Sequence, residues 1–305
     1  MIEQVHFDVE AAEKFIFGIK SGEIKVKATR KSMERRYGDM IELMEAFNEG
    51  RIDIGFVDRF GERLHTPISN MWKELRQFMY FKDAPDSRLV ELDISNSQPY
   101  FSSLCVNPNV IRRLLPEFSV CASFLEQLDV NDDCKHYSYL CRTGKIYETW
   151  AALRKIDRDS AKDEFIRSIM FSRNRPTRLE VKKARNHFRM VFPTVDRMFA
   201  YIKSLDEIRL PFMTSTYTDH YGRFEGRKSY FKNLSCAMQR IESRVFIKAI
   251  CPALITLGIP RFLTVHDSII VEERYAEQAR RVMQEQFEML AVRPPFIKIK
   301  VIERL

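Results

Sequence analysis

The stretch FLTVHDSIIVEE at residues 262–273 sets one histidine and one aspartate, His266 and Asp267, inside a run of apolar residues. Apolar, β-branched runs of this length are typical of buried strands, and we predict a single strand over residues 262–272. A buried carboxylate is strongly unfavourable unless it is paired or binds a metal ion. Asp267 therefore indicates a functional site, and a partner for it must come from elsewhere in the chain.

A second strand-like segment carries an aspartate in the same way. In RLVELDISN, residues 88–96, Asp93 follows alternating apolar residues and precedes small polar ones. Aspartates on neighbouring strands can share two Mg²⁺ ions, about 3.5–4 Å apart, that clamp the attacking and leaving oxygens of a phosphoryl transfer. Magnesium accepts oxygen ligands and leaves positions for phosphates. The alternative is two unrelated strand-end aspartates satisfied by backbone amides.

Helical patterns surround these two strands. The apolar spacing predicts that most of the chain is helical, that residues 212–229 form a hairpin, and that residues 296–303 form a last strand. Neither a linker rich in Gly or Ser nor an internal repeat marks a domain boundary. We therefore predict an α+β fold, in which a small sheet is backed by long helices and carries an inserted helical lobe. The predicted helices cover residues 8–20, 31–48, 71–79, much of 100–156, 158–172, 178–205, 233–258 and 275–290.

Charge and composition narrow the range of functions that this chain could have. The 305 residues carry a net charge of +8 and are 45% hydrophobic, which is ample for a core. Two dense basic blocks, residues 25–36 and 173–189, favour binding to phosphate backbones through counterion release. The alternative for each block is a solvated helix face. The first block supplies four candidate nucleic-acid contacts: Lys25, Lys27, Arg30 and Lys31.

Several classes of protein are disfavoured. No run approaches the roughly 18 apolar residues of a membrane-spanning helix, so we expect no membrane partner. The N-terminus has early acids and no apolar segment typical of a signal peptide. The six cysteines form no CxxC pair, which favours reduced thiols in a cytoplasm.

Three motifs resemble those of the family A DNA polymerases. LVELDISNSQPYF resembles their motif A, and LTVHDSIIVEE resembles motif C, whose core is His-Asp after an apolar strand. Between them, RDSAKDEFIRSIMF resembles motif B, with Arg158 and Lys162 four residues apart on one helical face. Weaker matches follow in the right order, so the resemblance spans roughly residues 60–305. They are ERLHTPISNMWKELRQF, GKIYETWA, FRMVFPTVDRMFAYI, SCAMQRIESRVFIKAI and the final helix and strand.

The resemblance implies a right-handed polymerase fold. Residues 61–305 would be a palm with a helical fingers insertion at about 150–232, and residues 1–60 would be a reduced thumb-like or template-holding element. It implies a template-directed nucleotidyltransferase, foremost a DNA-dependent DNA polymerase that extends a primer 3′-OH with dNTPs. Its source would be a phage, plasmid or other mobile element, acting in the host cytoplasm. The partners would be primer–template and nucleoside triphosphates, with a replisome protein as a further candidate.

The resemblance also implies residue roles. Asp93 and Asp267 would hold two Mg²⁺ ions, or Mn²⁺ in their place, with help from the backbone carbonyl of Ile94. Lys162 and Arg158 would hold the triphosphate and neutralise charge as pyrophosphate leaves. Contacts to the duplex would come from Arg63 and Gln239, and His266 would lie beside the primer terminus. Arg76 matches a family arginine, and we expect it to brace the palm.

The sequence also departs from the family pattern. Gln98 stands where the family carries the Glu that screens the sugar 2′ position, and Ser268 replaces the usual Glu of motif C, as in single-subunit phage RNA polymerases. Met170 and Phe171 occupy the register of the aromatic-Gly pair that packs on the nascent base pair, with Phe165 nearby. Three alternatives stay open: an RNA polymerase or primase, a template-independent terminal transferase, and a catalytically degenerate factor that only binds nucleic acid.

Overall fold

The structure is a computed structural model, which describes residues 2–24, 37–53, 55–128, 132–205, 214–218, 224–228 and 232–304. Its strands are β1 (Val5–Phe7), β2 (Phe56–Val57), β3 (Leu64–His65), β4 (Met79–Phe81), β5 (Leu89–Ile94), β6 (Thr214–Thr218), β7 (Phe224–Lys228), β8 (Phe262–Val265), β9 (Ser268–Glu272) and β10 (Ile297–Ile302). Its α-helices are α1 (Val9–Ser21), α2 (Tyr37–Asn48), α3 (Pro67–Asn70), α4 (Ser97–Leu104), α5 (Pro108–Leu114), α6 (Ser119–Gln127), α7 (Asp132–Arg142), α8 (Ile146–Arg154), α9 (Arg158–Glu164), α10 (Leu179–Val191), α11 (Pro193–Ser204), α12 (Asn233–Val245), α13 (Cys251–Thr256) and α14 (Ala276–Met289). The protein is thus a helix-rich α+β chain with small antiparallel sheets, as the sequence predicts.

A four-stranded antiparallel sheet carries both candidate aspartates. Its strand order is β10-β5-β9-β8, so β5 pairs with β10 on one side and with β9 on the other. Successive side chains of a strand point to opposite faces. On β5, Val90 and Leu92 therefore pack into the larger hydrophobic core, while Leu89 joins a smaller core on the other face. Asp93 shares the face of Leu89.

The larger core lies between the sheet and the helices that follow β5. Its large, fully buried side chains include Trp150, Tyr137, Phe165 and Phe188. Burying a large apolar side chain contributes roughly 1.5–3 kcal/mol, so these rings account for much of the stability of this part of the chain. They fix the positions of α8, α10 and the segment Phe165–Met170, which is a π-helix.

The long helix predicted over residues 233–258 is present, with one irregular turn. Helix α12 continues through a π-helical segment, Phe246–Ile250, into α13. The wide turn comes directly before Pro252. A proline ring clashes with the preceding turn of a regular α-helix, and a π-turn is a common way to open that turn.

The N-terminal residues are built into the smaller core. Strand β1 pairs antiparallel with β4, and α1 and α2 supply apolar side chains to a core shared with residues of β8 and β9. This pairing crosses the boundary predicted at residue 60. The short strands β1 to β4 were not predicted, because two or three residues carry too little periodicity. The hairpin predicted over residues 212–229 is confirmed as β6 and β7.

Candidate active site at the ends of two strands

Asp93 lies one residue before the end of β5. It faces Ser268 on β9 and Lys298 on β10 across the sheet, and its side chain is 28% exposed. Just beyond the strand, Asn96 adopts a left-handed conformation with φ of 53°. Its side-chain amide donates to the carbonyl of Gly144 at 2.6 Å. This turn ends the strand, so Asp93 lies near the end of the sheet, where a ligand can approach.

Asp267 lies in a hairpin turn, so the prediction of one strand over residues 262–272 is wrong. Strand β8 ends at Val265, β9 begins at Ser268, and these two residues pair directly. His266, with φ of 55°, and Asp267 form the two-residue turn between them. Such turns need a positive φ, which is usually supplied by Gly or Asn, although His tolerates it. Because neither a glycine nor an asparagine stands at the turn, the sequence does not predict it.

The two aspartates come together at one end of the sheet. The amide of Ile94, the residue after Asp93, donates to the carbonyl of Asp267 at 3.4 Å. Burial raises the pKa of Asp93 above its ordinary value, and the charge of Asp267 raises it further. The carboxylates are therefore close enough to repel each other, as expected of a pair that shares cations.

Glu91 adds a third carboxylate that the sequence analysis missed. It lies two residues before Asp93 and so shares its face of β5. Lys73 contacts Glu91 at 2.6 Å, and Lys300 contacts Asp93 at 3.4 Å. The sequence did hold a signal for Glu91. In LVELDIS, residues 89–95, every second residue from Glu91 onward is polar, so Glu91 belongs to the same face as Asp93.

The donor set fits magnesium better than a softer metal. Two carboxylates at a strand end, one of them with a raised pKa, supply hard oxygen ligands and negative charge that a divalent cation would neutralise. Across the described ranges, no group of three or more His, Cys, Asp or Glu side chains is arranged to enclose a metal ion. A cation held by Asp93 and Asp267 would therefore need water or phosphate oxygens as its other ligands.

Glu242 is a further buried acid that sequence reasoning missed. It is almost fully buried on α12, where Arg63 donates to its two oxygens, each at 2.9 Å. The pKa of Glu242 is raised to about 7, chiefly by burial and also by the charge of Asp267, against the lowering effect of Arg63. Arg63 was predicted to contact the duplex. Here its guanidinium is held by Glu242, at the edge of the aspartate pair.

A line of aromatic rings leads from solvent to Asp267. Phe56 is 63% exposed and stacks on His65, with ring centroids 5.1 Å apart. The ring of His65 meets that of His266 edge-on at 5.8 Å, and Asp58 fixes His65 through a 3.0 Å contact to its Nε2. His266 thus connects these rings to Asp267, and its contact with a primer terminus stays a prediction. Its pKa is lowered by burial and by the charge of Arg63.

Two other predicted residues lie close to this group. Arg76 is buried and contacts Glu91 at 3.5 Å, which agrees with the bracing role predicted for it. Gln239 packs against Gly61, where an added Cβ would lie 2.4 Å from the Gln239 Oε1. Only glycine at this position lets the loop before β3 approach α12 so closely.

Helix α9 presents the two predicted triphosphate ligands on its surface. Lys162 is exposed, and Arg158 contacts Glu148 of α8 at 2.6 Å. Because Gly144, just before α8, is held by Asn96, the start of α8 is tied to the strand end that carries Asp93. A chain of contacts through α8 therefore links Arg158 to the end of β5 that carries Asp93.

Phe165 and Met170, predicted to touch the substrate, do not reach solvent. Both are fully buried, and the Phe165 ring packs edge-on against Trp150 at 5.5 Å. Their apolar side chains complete the core beneath α9. Gln98, in the first turn of α4, is partly buried, and its Oε1 has no donor among the described residues.

Some predictions cannot be compared with the structure. Lys25, Lys27, Arg30 and Lys31 lie outside the described residues. Across the parts of the chain that the structure covers, no helix is long and apolar enough to cross a membrane. The six cysteines, all within the described residues, form no disulfide bond, and five of them are buried.

Comparisons with known proteins add little. No protein-family model and no curated protein sequence matches the chain. A similar solved structure is the "POL domain of Pol1 from M. smegmatis complex with DNA primer-template and dNTP". The sequence identity is 15% and the TM-score is 0.42, and the match covers 88% of this chain. It covers 51% of the other chain, so this chain spans about half its length. At this TM-score the similarity does not establish a shared fold or function.

Proposed function

We propose that this chain is a template-directed nucleotidyltransferase, and specifically a DNA-dependent DNA polymerase that extends a primer 3′-OH. One observation carries the proposal: the adjoining ends of two neighbouring strands bring Asp93 and Asp267 together, with the pKa of Asp93 raised by burial and by its neighbour. A protein that only bound nucleic acid would gain nothing from this pair, since paired carboxylates repel phosphates unless cations lie between them.

Asp93 and Asp267, with the carbonyl of Ile94, would hold two Mg²⁺ or Mn²⁺ ions. When bound, such ions lower the pKa of an attacking hydroxyl and neutralise charge on the leaving phosphate. Lys162 and Arg158 would bind the triphosphate of the incoming nucleotide from α9. In this proposal the four-stranded sheet belongs to the palm. Residues from about 150 to 232 form the fingers, and residues 1–60 form a reduced thumb-like element.

Two residues would position the substrates. His266, held in the hairpin turn and flanked by His65, would lie against the primer terminus. Gln98, which is partly buried in the first turn of α4, would lie against the sugar of the incoming nucleotide. A bulky side chain there favours deoxynucleotides, because a 2′-OH would meet it.

The test is extension of a labelled DNA primer on a DNA template with Mg²⁺, with dNTPs and NTPs supplied separately. Asp93→Asn and Asp267→Asn should each reduce the rate on the order of a thousandfold, since metal ligation stabilises the transition state by several kcal/mol. Asp39→Asn, an exposed site on α2, is the matched control and should extend normally. Normal extension by either active-site variant would show that the site is misassigned.

The same assay separates the alternatives. Growth with NTPs alone would identify an RNA polymerase or primase, and growth without a template would identify a terminal transferase. Gln98→Ala should raise the use of NTPs relative to dNTPs, and an unchanged ratio would exclude Gln98 as the sugar gate. Absence of growth under all conditions, with retained duplex binding, would favour the degenerate binding factor.

A further inference from the structure

A second polar feature lies away from the aspartate pair, beside α10. An open cavity of about 600 Å³ is formed by the segment before α10, one face of α10, and α11. Lys182, Arg185 and Arg189 line it at helical spacings of three and four residues, which put them on one face. Arg175 and Asn174 line it from the preceding segment. These residues belong to the second basic block of the sequence, residues 173–189.

The cavity has an excess of positive charge. Asp196 on α11 is the acid that pairs with its lining: Arg185 contacts one carboxylate oxygen at 2.8 Å and Arg189 contacts the other at 3.0 Å. One carboxylate thus serves two guanidinium groups. Arg175 and Lys182 are exposed and form no ion pair with any described residue. Among the residues that the structure describes, four cations therefore face one anion, which leaves an excess of three positive charges.

Arg185 is the unusual member of the set. The residue is only 3% exposed, and its Nε and Nη1 find no acceptor among the residues that the structure describes. Buried donors are almost always matched, and an unmatched charged donor is especially unfavourable. Its remaining contact with Asp196 holds the guanidinium plane in place. The side chain is thus a fixed, buried fork with two donors to offer to an anion that enters the cavity.

A buried lysine lies behind this cavity. Lys203 on α11 donates to the carbonyl of Ile169 at 2.6 Å. Burial lowers its pKa well below the ordinary value, and the charge of Arg185 lowers it further. Lys203 therefore joins the surroundings of Arg185 to the π-helical segment that follows α9.

We propose that this cavity binds backbone phosphates of a nucleic-acid strand. A guanidinium fork matches the geometry of phosphate oxygens, and exposed lysine and arginine at the rim release counterions when a polyanion binds. The proposal deepens and rests on the proposed function, because the strand it would hold is one that the aspartate pair would copy or extend. The cavity is a separate site, however, and its binding can be measured without catalysis.

The experiment compares two double variants of equal charge change. Arg175→Gln/Lys182→Gln removes two exposed cations of the cavity, whereas Arg178→Gln/Lys183→Gln removes two exposed cations of the same segment that do not line it. Binding of a fluorescent single-stranded DNA oligonucleotide is measured by anisotropy over a range of salt concentrations. Thermal unfolding of each variant confirms that it is folded. Arg185 itself is left in place, because its loss would leave Asp196 buried and short of a partner.

We expect the cavity variant to bind on the order of tenfold more weakly, and its salt dependence to fall by about 1.4, or roughly 0.7 per lost phosphate contact. The control variant should change affinity less than about threefold. Equal weakening of both variants would overturn the proposal, because it would show diffuse attraction. Displacement of the oligonucleotide by dTTP or pyrophosphate at equal phosphate concentration would also overturn it, in favour of a site for free phosphates.

Primer extension keeps the two proposals distinguishable. Suppose that Asp93→Asn abolishes extension and that the cavity variant binds DNA as tightly as the unaltered protein. This result would refute the proposed phosphate site in the cavity and leave the polymerase proposal standing. No extension by the unaltered protein, together with cavity-dependent DNA binding, would refute the polymerase and leave the phosphate site standing.

Discussion

The amide nitrogen of Ile94 lies 3.4 Å from the carbonyl oxygen of Asp267. This contact joins the end of β5 to the turn between β8 and β9, so the backbones that carry the two aspartates are held at a fixed spacing by the sheet itself. A site on paired strands needs little rearrangement to bind its ligands, which favours both affinity and rate.

Divalent cations should stabilise the folded protein through this pair. At a Mg²⁺ concentration of about ten times the dissociation constant, the gain is roughly 1.4 kcal/mol. For a chain of this size that raises the unfolding temperature by about 2–4 °C. Scanning fluorimetry with Mg²⁺ and with EDTA measures the shift. The double variant Asp93→Asn/Asp267→Asn should show none, and an equal shift in that variant would mean that the ions bind elsewhere.

Lys162 should matter for nucleotide addition and not for folding. It is exposed on α9, so Lys162→Met should leave the unfolding temperature unchanged. Loss of a cation that neutralises developing phosphate charge should lower kcat/KM for dNTPs on the order of a hundredfold. Arg167→Met is the matched control, since Arg167 is an exposed cation five residues along that pairs with Asp163 at 3.2 Å. Equal losses in both variants would remove Lys162 from the proposed site.

Phe165 should act first through the core. Phe165→Ala should destabilise the protein by about 3–5 kcal/mol, because the ring is fully buried against Trp150 and Phe188. Phe171→Ala, at a position 37% exposed, should cost less than about 1 kcal/mol. Urea denaturation measures both. Phe165→Leu keeps most of the volume, and a folded Leu variant with a raised KM for dNTPs would instead support a contact with substrate.

An ion-pair cluster should make stability fall in acid. Arg244 donates to Glu62 at 2.8 Å and to Glu117 at 2.9 Å. The hydrogen bonds from Arg244 hold the pKa of Glu62 below the ordinary value of 4.5. Burial acts to raise the pKa of Glu117, but hydrogen bonds from Arg244 and Arg240 outweigh it and leave that pKa lowered as well. The stabilisation is therefore complete above pH 4.5 and is lost as the pH falls through the lowered values.

Arg244→Met tests the sign of this dependence. At pH 7 it should lower the free energy of unfolding by about 1–3 kcal/mol, the cost of removing a charged donor from two partly buried acids. The difference from the unaltered protein should shrink in acid, where both glutamates are protonated. Lys248→Met removes a 67% exposed cation 3.7 Å from Glu62 and should cost at most about 0.5 kcal/mol. A difference that stays constant with pH would contradict the assignment.

The sequence predicted the elements with strong periodicity and missed those fixed by single contacts. The α+β class, β5 and the long helices follow from apolar spacing along the chain, whereas the meeting of Asp93 with Asp267 was one of two alternatives that the spacing left open. The turn at His266 was missed because its positive φ is imposed by strand pairing and not by a glycine. Glu242 was missed because its partner, Arg63, is 179 residues away, and no local pattern reports such a contact.

The burial of Phe165 and Met170 shows a different limit. Their place in the register of motif B implied a contact with the nascent base pair, but the six-residue π-helix Phe165–Met170 changes the angle between successive side chains. Helical spacing counted on the sequence therefore fails within this segment, and only coordinates can assign its faces.

The π-helix also bears on how this chain tolerates insertions and deletions. A π-turn holds one residue more than an α-turn, so deleting a single residue within Phe165–Met170 would allow a regular helix across the gap. Each residue of an α-helix turns the chain by about 100°. Such a deletion would therefore leave α9, with Lys162 and Arg158, close to its present orientation, whereas a deletion within a regular α-turn would rotate it by about that angle. The π-turn is therefore the part of this helix where the loss of one residue would least redirect the surface of α9.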